Sequence, residues 1–179
     1  MMRDYDVFIF GNISIGIIKT PTGEHEIPGG PILFAAWTAH QLGCSIGVLT
    51  KTALKDKYRL KEFPIAEEDL YWCDSVETTS NEAVYRTESM ETRTLTNLSR
   101  ADAYRTDEFP DVTAKVIQYC GPIAGDIDLE FIRFISTKAP VAMDAQSLMR
   151  QVLPDGAIEN ADWDEKREAL PLIHYFKAD

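Results

Sequence analysis

The chain has 179 residues, 45% of them hydrophobic and 26% charged, an ordinary balance for a globular chain long enough to bury one core. Its formal net charge of -11 argues against a nucleic-acid partner, because an acidic surface repels phosphate backbones; a nucleotide held by local amide groups stays compatible with it. No apolar run approaches the roughly 20 residues of a membrane span, and the start Met1-Met2-Arg3-Asp4-Tyr5-Asp6 lacks the basic-then-apolar layout of a secretion signal.

Residues 6–10 (DVFIF) are β-branched and aromatic and run straight into Gly11-Asn12, which predicts a buried strand ending in a turn. Residues 13–18 stay apolar, and 19–28 are polar with Pro and Gly, a pattern for two short strands or a loop. Residues 31–42 are the clearest helix, with Gly29-Gly30 before it, Pro31 in its first turn and Gly43 at its stop. Apolar residues on nearly all its sides predict a largely buried helix. Residues 45–50 (SIGVLT) read as the next strand, 54–63 as a charged helix and 70–76 as a strand. Residues 77–98 are rich in Thr, Asn, Ser, Glu and Arg without helical periodicity, which predicts exposed antiparallel strands outside the main core.

Alternation of strand and helix then resumes. Residues 115–120 (KVIQYC) form a strand, Asp128 caps a helix carrying Leu129, Phe131, Ile132 and Ile135, and residues 140–144 (PVAMD) form another strand. Residues 155–168 read as an acidic, solvated stretch, and 172–177 (LIHYFK) as a last strand. The expected fold class is therefore α/β, with a central, mostly parallel sheet, helices on both faces and a small antiparallel β sheet beside it.

Complete catalytic motifs are missing. The glycines after the first strand do not form G-x-G-x-x-G, and there is no P-loop, no G-x-S-x-G elbow and no H-E-x-x-H. His25, His40 and His174 are too scattered for a zinc site, and Cys44, Cys73 and Cys120 fit reduced thiols in a cytoplasmic chain rather than a disulfide framework. Gly29-Gly30 is the most informative pair. Two glycines let backbone approach a ligand, and the helix behind them presents free N–H groups, although a tight turn serving only packing is the plainer reading.

The run from Pro28 through Gly29-Gly30-Pro31 to Leu42-Gly43, followed by Val48-Leu49-Thr50, resembles the first signature of the ribokinase (PfkB) family of small-molecule kinases. Gly11-Asn12-Ile13-Ser14 is similar to the turn after that family's first strand, and Asp144-Ala145-Gln146 with Arg150 to an element of one of its branches. The resemblance covers nearly the whole chain. It implies a ribokinase-like α/β domain over residues 1–179 with lid segments near 17–28 and 77–98, and a substrate site formed by Asn12, Ser14, Gly16, Gly29, Gly30, Phe34, Arg93, Asp144, Gln146 and Arg150. Two positions depart from the pattern: Gly16 stands where the family usually carries an aspartate, and Phe34 where it often carries an asparagine.

The family's N-x-x-E element and G-A-G-D loop, which place magnesium and carry the catalytic aspartate, do not occur in residues 1–179. The resemblance thus implies the substrate-binding portion of an ATP- and magnesium-dependent kinase acting on a hydroxyl of a sugar, inositol or nucleoside, without the C-terminal ATP-binding part and inactive on its own. The alternative is a non-catalytic, truncated paralogue serving as a ligand-binding or dimerisation module. A small-molecule substrate is the expected partner, with a homodimer through the lid also compatible with the family.

Overall fold

The computed structural model describes residues 3–178. Met1 and Met2, part of the start read above against a secretion signal, and Asp179, the last residue, lie outside the described residues. In chain order the elements are β1 (Arg3–Phe10), β2 (Ser14–Thr20), β3 (Gly23–Gly29), α1 (Pro31–Gln41), β4 (Ile46–Thr52), β5 (Leu70–Asp74), β6 (Thr79–Tyr85), β7 (Arg93–Ser99), β8 (Val112–Tyr119), α2 (Leu129–Ser136), β9 (Val141–Asp144), α3 (Gln146–Met149), β10 (Arg150–Val152), β11 (Ile158–Asn160), α4 (Lys166–Ala169) and β12 (Tyr175–Lys177).

The main sheet has six strands in the order β12-β9-β8-β1-β4-β5, and every pairing in it is parallel. Parallel strands are covered on both faces, and β1 shows how the sequence does it. Its side chains alternate, so that Phe8 and Phe10 enter one core with Phe131, Ile132 and Ile135 of α2, while Val7 and Ile9 enter the other with Ile32, Leu33 and Ala36 of α1. Burial of each such side chain contributes about 1.5–3 kcal/mol. Asp128 caps α2 by accepting the backbone N–H of Phe131 at 2.8 Å, as its position predicts.

A second sheet of four strands, β3-β2-β6-β7, stands over the C-terminal ends of the main strands. Pairing is antiparallel at β2–β3 and β6–β7, and parallel where β2 meets β6. Lys19 of β2 pairs with Glu82 of β6 at 2.6 Å across that junction.

Several sequence expectations change. Helix α1 is not buried on all sides: Phe34, Trp37 and Leu42 are exposed by 63%, 45% and 77%. One stripe at helical spacing (Ile32, Leu33, Ala36, Ala39) meets the sheet, while Trp37 is only partly covered by the next segment, where its Nε1 donates to the Glu62 carbonyl at 3.0 Å. Residues 54–63 form a 3-10 helix over Leu54–Glu62, because no apolar stripe favours an α-helix there and the buried Asp56 and Arg59 are tied to Thr78 and Glu26. The stretch 155–168 is not merely solvated. Part of it pairs as β11 with β10, and Trp163 is buried in the core beside α2. The last strand starts only at Tyr175, since Leu170–Leu172 coil into a 3-10 turn at Pro171.

One charge is buried at the heart of this arrangement. Lys51 of β4 is 1% exposed and donates to both carboxylate oxygens of Glu108, at 2.7 and 3.0 Å, and to the carbonyl of Ala103 at 2.9 Å. A buried ammonium is tolerable only when fully paired like this, and here the pairing straps the 100–109 segment onto the sheet.

Candidate functional site

A cleft of about 930 Å³ opens between the four-stranded sheet, α1 and the C-terminal ends of β8, β9 and β12. Open parallel sheets bind ligands at this edge. From the four-stranded sheet come Ser14, Gly16, Ile18 and Ile27 of β2 and β3, and Asn81, Ala83, Tyr85, Arg93 and Leu95 of β6 and β7. Gly30, Pro31, Phe34 and Thr38 form the α1 wall, and Gln118, Asp144, Gln146, Arg150 and Lys177 the wall opposite.

Of the ten residues singled out from the sequence, eight line this cleft; Asn12 and Gly29 do not. Both are buried beneath it. Asn12 turns inward and donates Nδ2 to Asp126 at 2.9 Å. Gly29 sits at the end of β3, opposite Ser14.

Gly30 adopts φ +96° at the start of α1, and a Cβ there would lie 3.0 Å from the Asn12 carbonyl and 3.2 Å from the Ser14 nitrogen. The glycine is therefore required by the turn itself: a side chain would push into the β1–β2 connector before it reached a ligand. Gly16 has a different reason. It faces Ile27 across the β2–β3 pair, and a Cβ on it would meet the Ile27 side chain at 2.9 Å. A side chain at position 16 would therefore have to displace that of Ile27.

Phe34 is exposed on α1 and faces the cleft, so its ring is offered to whatever enters rather than to the core. Arg93 donates to the Tyr85 hydroxyl at 2.8 Å, and that bond holds the guanidinium over the cleft mouth. Asp144 ends β9, and one of its oxygens accepts the backbone N–H of Ser147 at 2.9 Å and its hydroxyl at 2.7 Å. Ser147 is itself fully buried, which fixes the plane of the carboxylate at the cleft edge. Such an assembly of amide, guanidinium, carboxylate and aromatic face can bind and orient hydroxyl groups.

Sequence reasoning missed Asn81, Tyr85, Gln118 and Lys177 in the cleft, and Asp126 below it. The alternation of β6, in which Asn81, Ala83 and Tyr85 share one face, was a usable signal for the first two. Asp126 gave none, because an acid in a loop normally reads as solvated. It is 0% exposed, and burial raises its pKa to about 6 against the opposing pull of Arg100 and Asn12. Folded Asp126 so keeps its proton to a higher pH than it does unfolded. Its contribution to stability is complete below the unfolded pKa and lost as pH rises through about 6. We expect the urea midpoint of the wild type, measured relative to Asp126→Asn, to fall between about pH 4 and pH 7; a relative midpoint that rises over that window would contradict the assignment.

Comparison with solved structures decides the fold. A pyrophosphate-dependent kinase in the ribokinase family, in complex with a pyrophosphate analog and myo-inositol, matches at TM-score 0.84 with 20% sequence identity, over 97% of this chain and 61% of that one. The chain has the ribokinase fold. The Methanocaldococcus jannaschii nucleoside kinase of the same family matches at TM-score 0.67 and 16% identity, over 97% of this chain and 60% of its own. Arabidopsis thaliana ribokinase, complexed with ribose and ATP, matches at 0.65 and 10%, over 99% and 60%. The chain thus spans about 60% of the length of the ribokinase-fold structures it matches. No family model and no curated protein matches it. Among the described residues no helix is long and apolar enough to cross a membrane.

Proposed function

We propose that the chain is the acceptor-binding portion of a kinase that phosphorylates a hydroxyl of a small cyclic polyol, with an inositol as the leading candidate among sugars, inositols and nucleosides. The observation that carries this reading is the cleft itself: polar side chains from the four-stranded sheet and from the main sheet converge on one volume at the ligand-binding edge of a ribokinase fold. Greater structural similarity to the kinase solved with myo-inositol than to the nucleoside kinase or ribokinase favours an inositol.

In this reading Asp144, Gln146 and Arg93 hydrogen-bond the acceptor hydroxyls, and Phe34 packs on the ring. The family implies ATP and magnesium, although a similar kinase uses pyrophosphate. Among the described residues no cluster of three metal-ligating side chains comes together, and none of the family's donor-site motifs occurs. In this reading the part played by the described residues is to bind and orient the acceptor.

Titration calorimetry with myo-inositol tests this. Asp144→Asn keeps an acceptor for Ser147 but loses the charge, so the affinity should fall about tenfold, the value of one charge-assisted hydrogen bond, with the unfolding midpoint nearly unchanged. No detectable heat with the wild type, or the same affinity in the variant, overturns the inositol reading. Gly30→Ala serves as the contrast: it should lower the midpoint, by about 1–3 kcal/mol of strain, through the connector contacts described above.

A further inference from the structure

The four-stranded sheet joins the main sheet through four chain crossings, after β1, before α1, before β6 and after β7. Two of them end on the same carboxylate. Asn12, in the crossing after β1, donates Nδ2 to one oxygen of Asp126 at 2.9 Å, and Arg100, the first residue after β7, donates Nη2 to the other at 3.2 Å. Arg100 Nη2 also donates to the Ala124 carbonyl at 2.6 Å, and the Tyr104 backbone N–H donates to the Asp126 carbonyl at 2.8 Å. Asp126 lies in the connection from β8 to the capped start of α2, which belongs wholly to the main domain.

The crossing before β6 is referred to the same point. Ser99 Oγ donates to the Thr78 carbonyl at 2.6 Å, and the Ala101 N–H donates to Thr79 Oγ1 at 3.1 Å. Entry to β6 and exit from β7 are thereby locked together, and Arg100 connects both to Asp126. A buried carboxylate is an expensive way to hold a core, and an apolar side chain of similar volume is often as stable or more so. Its directional bonds to two separate crossings supply what an apolar residue cannot, a fixed angle.

We propose that Asp126 is a positioning residue that sets the angle of the four-stranded sheet over the cleft. One oxygen governs the β2–β3 half through Asn12, and the other governs the β6–β7 half through Arg100. Its bearing on ligand binding rests on the acceptor-binding reading above. Its mechanical role does not, and it can be measured without a ligand.

Amide hydrogen exchange of the full chain at about pH 7.5, well above the Asp126 transition, reads each half separately. Asn12→Ala should speed exchange in β2 and β3 about tenfold, as expected for loss of one bond to a buried carboxylate, and leave β7 nearly as it was. Arg100→Gln should do the reverse, speeding β6 and β7. Asp126→Asn should speed both halves while β1 and β8 keep their protection, and adding Asn12→Ala to it should bring less than about twofold more. Uniform acceleration through β1 and β8 as well would make Asp126 a general core residue and overturn the proposal. So would unchanged exchange in Asp126→Asn, or full additivity of the double variant. The two single variants at Asn12 and Arg100 decide the matter even if Asp126→Asn fails to fold, because a clamp predicts opposite halves for them.

Discussion

Gly11→Ala is expected to abolish cooperative folding. Gly11 ends β1 with φ +151°, and a Cβ on it would lie 2.2 Å from the carbonyl oxygen of Cys120 and 2.7 Å from its carbonyl carbon. That neighbour is backbone, and it cannot swing aside. The Cys120 N–H donates to the Phe10 carbonyl at 2.8 Å, and the Gly11 N–H donates to the Leu49 carbonyl at 3.2 Å. The glycine is thus pinned between β8 and β4, and relief of the clash must separate two strands of the central sheet. A backbone clash at such a position belongs among the rare substitutions costing more than about 4 kcal/mol, against a total stability of about 5–15 kcal/mol. Far-ultraviolet circular dichroism through a urea titration would show it as loss of the sigmoidal transition. A transition within about 1 kcal/mol of the wild type, on the usual linear extrapolation, would mean that the β1–β8 pairing has more slack than these distances allow.

Phe10→Ala should have the next largest effect, about 3–5 kcal/mol for an aromatic removed from a packed core. Phe10 is fully buried and touches four other rings: Tyr119, Phe131, Tyr104 and Phe109, with centroids 4.9, 5.5, 5.8 and 6.0 Å away. These rings come from β8, α2 and the 100–109 segment, so the loss reaches three parts of the chain together. Burial already drives the Tyr104 and Tyr119 hydroxyls well above their ordinary pKa. A cavity at Phe10 that admits water should bring them back down. Ultraviolet titration of the variant would report tyrosines ionising nearer the ordinary value while the protein remains folded. A midpoint lowered by less than about 1 kcal/mol would indicate that the surrounding rings collapse into the space, as some core sites do.

The fold was legible wherever a local pattern carried it. Val7-Phe8-Ile9-Phe10 reads as a strand buried on both faces because its alternation has no polar phase, and both cores contain its side chains. Gly30-Pro31 marks the start of α1 to the residue. Long-range pairings leave no such trace. That β2 would join β6 in parallel depends on Ser14 meeting Thr79, and no window around either residue encodes it. The burial of Trp163 inside an acidic stretch was hidden for a related reason: composition averages over the stretch, whereas the core takes one side chain from it. Helix α1 shows the opposite failure, since Phe34, Trp37 and Leu42 are apolar and yet exposed. Apolar character fixes what a side chain tolerates, and the neighbouring elements decide whether it is covered.

Within the cleft, the residues legible from sequence were those at a turn or beside a strand end, such as Gly30 and Asp144. The two halves of the Asp126 clamp were invisible, because Asn12, Arg100 and Asp126 are brought together only by the crossing of three separate connections.

The central place of β1 in the main sheet governs the order in which the chain assembles as it is made. Its partner β4 follows soon, with Phe10 opposite Leu49, but β8 comes far later: Lys115, which bonds Asp6, lies 109 residues downstream. At roughly 5–20 residues per second of synthesis, the first strand leaves the ribosome seconds before its second neighbour exists. Through that interval one side of an apolar strand stands open, and parallel pairing over such distance is slow even once both strands are present. The hairpin of β2 and β3 and the β1–α1–β4 unit can form meanwhile, so the nascent chain waits as a half-built sheet with a sticky flank. Production of this protein should therefore respond to slower translation and to chaperones that shield hydrophobic edges more than its finished stability would imply.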